Sequence, residues 1–367
     1  MHSIRRRAWI IGLFSALLLS VTAQAEEEKV LNLYTWADYI GENTVANFEE
    51  RTGIKVNHDV YESNEVLETK LLTGNTGYDL VLPTAYFLER QIKAGVFQKV
   101  DKTLLSNYGN LDPDILARLT AHDPDNEHGV PYAWGTTGIG YNEAKVRAVF
   151  PDAPMDSWDA LFDPEVIARL SECGVSFLDA PSEVFATALA YLGKDPNSED
   201  PDDLKAAEAL LAKVRPYIRY AHSQRYMDDL ATGEICVAMS WSGDVFWAGR
   251  RAAESGNGVE LTYSIPREGA IIWLDTMAIP SDAPHPGNAH LFINYILEPE
   301  VIAEITNFIF YPNANTASVE FIDEKIVSNP VIYPPEAVKA TLFTARVHSS
   351  GYARLQTRAW TRFKTGR

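Results

Sequence analysis

Three times along this chain an aromatic residue is followed closely by a carboxylate: Trp36-Ala37-Asp38-Tyr39, Trp241-Ser242-Gly243-Asp244 and Trp273-Leu274-Asp275. Glu183, just past the turn Asp179-Ala180-Pro181, adds a fourth acid. Such pairs suit an ammonium group. Carboxylate oxygens accept charge-assisted hydrogen bonds from it, the face of an indole or phenol ring attracts its charge, and flat apolar walls receive attached methylenes. Brought together, these segments would form a box with aromatic walls and acidic ends. Carboxylates buried without a counter-charge are costly, so an empty box should stay open and wet, and a cation should favour its closure. Each residue also has an ordinary reading. Tryptophans at strand ends commonly pack cores, Asp38 would cap a helix over Ile40 to Arg51, and Asp244 would cap one through Trp247 to Ala253. Recurrence of the pairing carries the weight.

Other chemistries find little support. The chain has no G-x-S-x-G elbow, P-loop or G-x-G-x-x-G, and its G-x-G at Gly138 to Gly140 falls in an expected strand. Asp123, Asp125, Asn126 and Glu127 resemble a calcium loop only superficially, because Pro124 interrupts them and the spaced bidentate acid is missing. The histidines form no H-x-x-x-H pair suited to zinc. No metal or cofactor is expected. Paired carboxylates beside aromatic walls also serve glycosidases, which is the enzymatic alternative to binding without chemistry.

The elements that must position these residues read as α/β. Val30 to Trp36 alternates as a strand, Glu42 to Arg51 has helical spacing at Val45 and Phe48, and Gly53 stops it before a strand over Ile54 to Val60. Ser63-Asn64-Glu65 opens a helix to Leu72, Asp79 to Leu82 is a short buried strand, and Thr84 caps a helix ending near Gly95. Further strands are predicted at Gly138 to Tyr141, Gly174 to Leu178 and Ile235 to Trp241. Helices are predicted at Asp202 to Val214 and Gly287 to Leu297, and surface turns at Asp123 to Asn126 and Asp195 to Asp203. Strands alternating with helices imply a mainly parallel sheet flanked by helices, with ligands at the carboxyl ends of strands. No internal repeat or low-complexity linker interrupts this pattern, so two domains would share crossing strands able to act as a hinge.

Arg5 to Arg7, the apolar run Ala8 to Val21 and Ala23-Gln24-Ala25 have the form of a cleaved export signal, which places the mature start at Glu26 and the protein in the periplasm. Removing those three arginines from 32 Lys and Arg leaves 29 against 50 Asp and Glu, a net charge of −21. That acidity argues against nucleic acid or an anionic membrane surface as partner. Roughly 340 remaining residues exceed what one core usually serves. In an exported chain Cys173 and Cys236 are read as a structural disulfide, with two separate buried thiols as the alternative.

Tyr34 to Ile40 (YTWADYI), Tyr61 to Leu72 (YESNEVLETKLL), Asp79 to Pro83, Phe177 to Pro181 (FLDAP), Ile235 to Asp244 and Tyr311 to Asn315 (YPNAN) resemble the putrescine/spermidine-binding proteins of bacterial polyamine ABC importers, and most closely their putrescine branch. The resemblance implies a type II periplasmic binding protein fold with two lobes, each a mainly parallel sheet flanked by helices, joined by two crossings. It places lobe 1 at about 26–135 and 262–311 and lobe 2 at 136–261 and 312–367. It implies a polyamine as ligand, an inner-membrane permease as partner, a monomer, and a Cys173–Cys236 pairing. Ligand-contacting positions of the family fall on Trp36, Ala37, Asp38, Tyr39, Thr84, Tyr86, Glu183, Ser223, Trp241, Asp244, Trp273, Asp275 and Tyr311. An oligosaccharide binder on the same scaffold and a polyamine sensor for a signalling receptor are the alternatives it leaves.

Departures bear on the ligand. Ala37 stands where putrescine binders usually carry serine, which removes a hydroxyl. Trp273 and Tyr86 resemble the spermidine type, and Ala345 replaces a larger aliphatic residue, leaving room for a longer ligand. Asp244 is typical of the putrescine side. The balance favours spermidine slightly over putrescine.

Overall fold

The computed structural model describes residues 27–366; the expected export signal lies outside them. Its strands are β1 (Val30–Trp36), β2 (Lys55–Tyr61), β3 (Leu80–Val81), β4 (Gly129–Asn142), β5 (Val175–Phe177), β6 (Tyr220–Ala221), β7 (Val237–Trp241), β8 (Leu261–Ser264) and β9 (Ile272–Ala278). Their order is β2-β1-β3-β9-β4-β7-β5-β6, with β8 also on β4. Parallel pairing joins β1 to β2 and β3, and β5 to β6 and β7. Pairing is antiparallel wherever β4 or β9 takes part, as β9 against β3 and β4, or β7 and β8 against β4.

β4 divides the molecule. Its Gly129 to Thr136 portion bonds β9, and its Thr137 to Asn142 portion bonds β7 and β8. Almost every residue of β4 is buried, as expected of a strand with neighbours on both edges and both faces. On one side lies lobe 1, whose sheet is covered on one face by Leu31, Leu33, Phe48, Ile293 and Ile302 and on the other by Tyr61, Leu67 and Leu88. Lobe 2 packs Trp158, Phe162, Phe177 and Val237 around β5 and β7. Burial of large side chains like these contributes roughly 1.5–3 kcal/mol each, and supplies each lobe with its own core.

The crossing strand predicted at Gly138 to Tyr141 is the second half of this longer strand. Gly140 is explained by packing, since a Cβ there would meet the Val245 side chain at about 2.5 Å. The chain also passes back to the lobe 2 core near its end. Ile322, Ile326 and Ile332 pack on Ala303 beside lobe 1, Phe343 bridges to Ile271, and the helix Ser350–Thr365 then buries Trp360 and Phe363 in the lobe 2 core. Hydrophobic residues on one stripe of that last helix draw it back across the boundary.

Cys173 precedes β5 and Cys236 precedes β7. Because those strands are parallel with Val175 opposite Val237, the two cysteines sit side by side, and they form a disulfide with Cα atoms 5.4 Å apart.

Candidate functional site

A cleft of about 690 Å³, partly open to solvent, lies between the lobes at the carboxyl ends of β1 and β7. Twelve of the thirteen ligand positions expected from sequence line it; Tyr86 does not. Among the described residues five carboxylates face it, Asp38, Glu62, Glu183, Asp244 and Asp275, and no Lys, Arg or His does.

Asp275 sits within β9, and its position is fixed by a local surprise. Thr84 occupies the N-cap position of the helix Ala85–Lys93 as predicted, but its hydroxyl makes no capping bond. Thr84 is instead drawn into a bridge with Asp275, and its Oγ1 donates to Asp275 Oδ1 at 2.6 Å while accepting from Asn64 Nδ2 at 2.8 Å. Tyr39 Oη donates to Asp275 Oδ2 at 2.9 Å. Asp275 is only 3% exposed, and loss of solvent pushes its carboxyl up to about 7 against the pull of these two donors, with Glu183 raising it further. Burial and Asp275 together hold the Tyr39 phenol protonated, so it remains a donor.

Asp244 is half-buried in the first turn of the helix Ser242–Ser255, which runs through the positions where a later start was predicted. Its oxygens accept from Tyr226 Oη at 2.5 Å and Tyr311 Oη at 2.6 Å. Tyr226 belongs to lobe 2 and Tyr311 to the lobe 1 core, so this carboxylate is held from both sides of the cleft. Burial pushes it up to about 6, with Asp38 adding to the rise. Gly243 permits the approach, because a Cβ there would meet the Tyr311 ring and Ile309 O at about 2.6 Å.

Glu183 stands between these ends on the first turn of the helix Pro181–Tyr191. Its Oε2 accepts from Thr137 Oγ1 at 2.5 Å and Trp241 Nε1 at 3.0 Å, and burial raises its pKa. Trp36 donates Nε1–H to Leu82 O at 3.0 Å and meets Trp241 edge-on across the lobes at 5.9 Å. Trp273 lies edge-on to Tyr311 at 5.0 Å, against Gly135, where a Cβ would come within about 2.5 Å of the indole. Ser223 Oγ accepts from Asp179 N at 3.1 Å, and Ala37 completes the first loop.

Asp38 is exposed and does not cap a helix, since the helix it was matched to begins only at Thr44, after Asn43. Its backbone is left-handed, with φ 53°, a conformation that costs a non-glycine residue about 1 kcal/mol or more. Tyr86, at the start of its helix, packs its ring on Phe87 at 5.0 Å and lines a neighbouring cavity, although its phenol lowers the Glu183 pKa against the rise from burial. Ala345 lines that same cavity and not the cleft.

Sequence reasoning missed Glu62, Asn64, Gln224, Met227, Trp247 and Ile309 in the lining. Glu62 follows the carboxyl end of β2, and Trp247 lies three residues past Asp244 on one helical face, so both carried a usable signal. Ile309 and Met227 reach the cleft through tertiary packing alone.

A family model for bacterial extracellular solute-binding proteins matches residues 43–334. The chain is 52% identical over 365 residues to the putrescine-binding periplasmic protein PotF of Escherichia coli (strain K12), covering 98% of this chain and 99% of that one. It is 35% identical to the spermidine/putrescine-binding periplasmic protein of the same organism, over 87% of each chain. Among solved structures it resembles a putative spermidine/putrescine ABC transporter protein from Listeria monocytogenes, with TM-score 0.83, 30% identity, and coverage of 93% of this chain and 100% of that one. Fold, sequence and a cleft built for binding agree: the protein belongs to the bacterial extracellular solute-binding proteins and is not an enzyme.

Proposed function

We propose that this protein is the periplasmic binding component of a polyamine ABC importer, closing its two lobes over a linear polyamine and handing it to an inner-membrane permease as a monomer. The observation that carries the reading is an aromatic cleft lined by five carboxylates and no cationic side chain, with Asp244 and Asp275 each already holding two hydroxyl donors. A terminal ammonium at either end completes the hydrogen bonding of a fixed carboxylate, and Trp36, Trp241 and Trp273 flank the methylenes. The thirteen positions read from sequence are the contact set, with Tyr86 acting through Glu183.

Spermidine is the preferred ligand over putrescine. Five acids leave a dication under-neutralised, Trp273 widens the aromatic wall, and Ala37 withdraws a hydroxyl. For the lobes, strand pairing supports assigning β8 to lobe 2, because it bonds the second half of β4, and the packing of Ile322 to Ile332 on Ala303 supports assigning that stretch to lobe 1.

Calorimetric titration of refolded, ligand-free protein with spermidine, putrescine and a neutral oligosaccharide tests the proposal. Tight binding of the amines, weakened by salt, is expected. No heat from either amine at micromolar concentrations, or salt-insensitive sugar binding, overturns it.

A further inference from the structure

Behind Trp273 lies a second, partly open pocket whose wall it shares with the cleft. Its walls are mostly apolar, with Ile115, Trp134, Ile272, Leu274 and Ala345 among them, and it contains no carboxylate. The polar side chains lining it are those of Arg118, His122 and Thr344, with Tyr86 also in its wall. His122 Nδ1 faces Glu89 at 3.1 Å. This lining is the reverse of the cleft's, where acids are present and bases absent.

The partition between the two spaces is held by packing. Trp36 and Trp241 are tethered through their indole N–H groups, whereas the buried Trp273 Nε1 has no hydrogen-bond partner. A buried N–H without a partner costs about 1–3 kcal/mol, so a displaced indole loses no hydrogen bond and stands to gain one. The cavity adjoins the Asp275 end, because Ala85 and Tyr86 follow Thr84 in sequence, and Trp273 and Leu274 precede Asp275.

Resting on the polyamine reading, we infer that this cavity is an annex of the cleft that receives a neutral, apolar substituent carried on the amine held at Asp275, with Trp273 as the movable partition. An additional ammonium is refused there, since it would be desolvated beside Arg118 and His122 with no carboxylate to meet it. The annex therefore extends the ligand class to N-alkylated and N-arylated polyamines.

Calorimetry on the whole protein with putrescine and N-benzylputrescine tests this, using Ile115→Phe to fill the annex and Ile115→Ala to enlarge it. Wild type should bind both amines, with binding of the benzyl derivative accompanied by a change in tryptophan fluorescence. Ile115→Phe should weaken the benzyl derivative at least tenfold and putrescine less than twofold, while Ile115→Ala should hold or strengthen the derivative. Thermal melts confirm that both variants fold. If wild type binds putrescine and not the derivative, or if Ile115→Phe shifts both equally or neither, the annex is wrong and the polyamine reading stands. If wild type binds neither amine, both fall.

Discussion

The two ends of the cleft solve one problem in different ways. Asp275 is almost fully buried and takes both its donors, Thr84 and Tyr39, from lobe 1. Asp244 is half-buried and takes one donor from each lobe, Tyr226 and Tyr311. The first is a rigid socket within one body; the second is completed only when the bodies meet. Desolvation raises both carboxyls, to about 7 at Asp275 and about 6 at Asp244. On the proposed function, the comparison predicts that affinity is concentrated at the Asp275 end and the sensing of closure at the Asp244 end.

The largest test is Asp275→Asn, which should weaken diamine binding by about 3 kcal/mol in calorimetry, because it leaves an ammonium buried without its charge. Acidity should act next. Both carboxyls titrate above their ordinary range and the ligand requires them ionised, so lowering the pH from about 8 to about 6 should weaken binding by roughly 2 kcal/mol, starting at the Asp275 transition. For the empty protein the sign reverses. A carboxyl raised by folding stabilises the fold fully below the unfolded value of about 4 and loses that contribution as the pH rises to the folded values of about 6 and 7, so the empty protein's melting temperature should fall between about pH 4 and pH 7. Asp244→Asn should cost about 1.5 kcal/mol, less than its counterpart; an equal or larger loss breaks the comparison. Smallest is Tyr311→Phe, at about 1 kcal/mol, with the loss appearing as faster dissociation in stopped-flow traces. Tyr39→Phe should lose a similar amount without loosening the lobes, and matching dissociation rates for the two variants would remove the sensing role.

Much of this was legible beforehand. β1 was predicted at its observed limits, and the second helix starts at Asn64 with Ser63 accepting from Val66 N as its cap. The aromatic-acid pairs read from sequence all reach the cleft. What escaped is where one residue type serves two purposes. Thr84 was read as a cap because a threonine before a helix usually is one, and nothing local reveals that β9 brings a carboxylate within reach of its hydroxyl. Tyr86 was assigned to the cleft by similarity; it lines the neighbouring cavity, while its phenol interacts with Glu183 and Asn64 of the cleft. Asp38 matched a cap by spacing, but its positive φ and the late helix start could be fixed only by the loop.

β4 has a consequence for how the protein comes apart. A strand hydrogen-bonded to β9 along one half and to β7 and β8 along the other is common property of both sheets. Neither sheet can fray at that edge without exposing the backbone of the other. Although the lobes have separate cores, they should melt as a single cooperative unit, and severing the chain between them would leave each fragment with an unpaired, aggregation-prone edge.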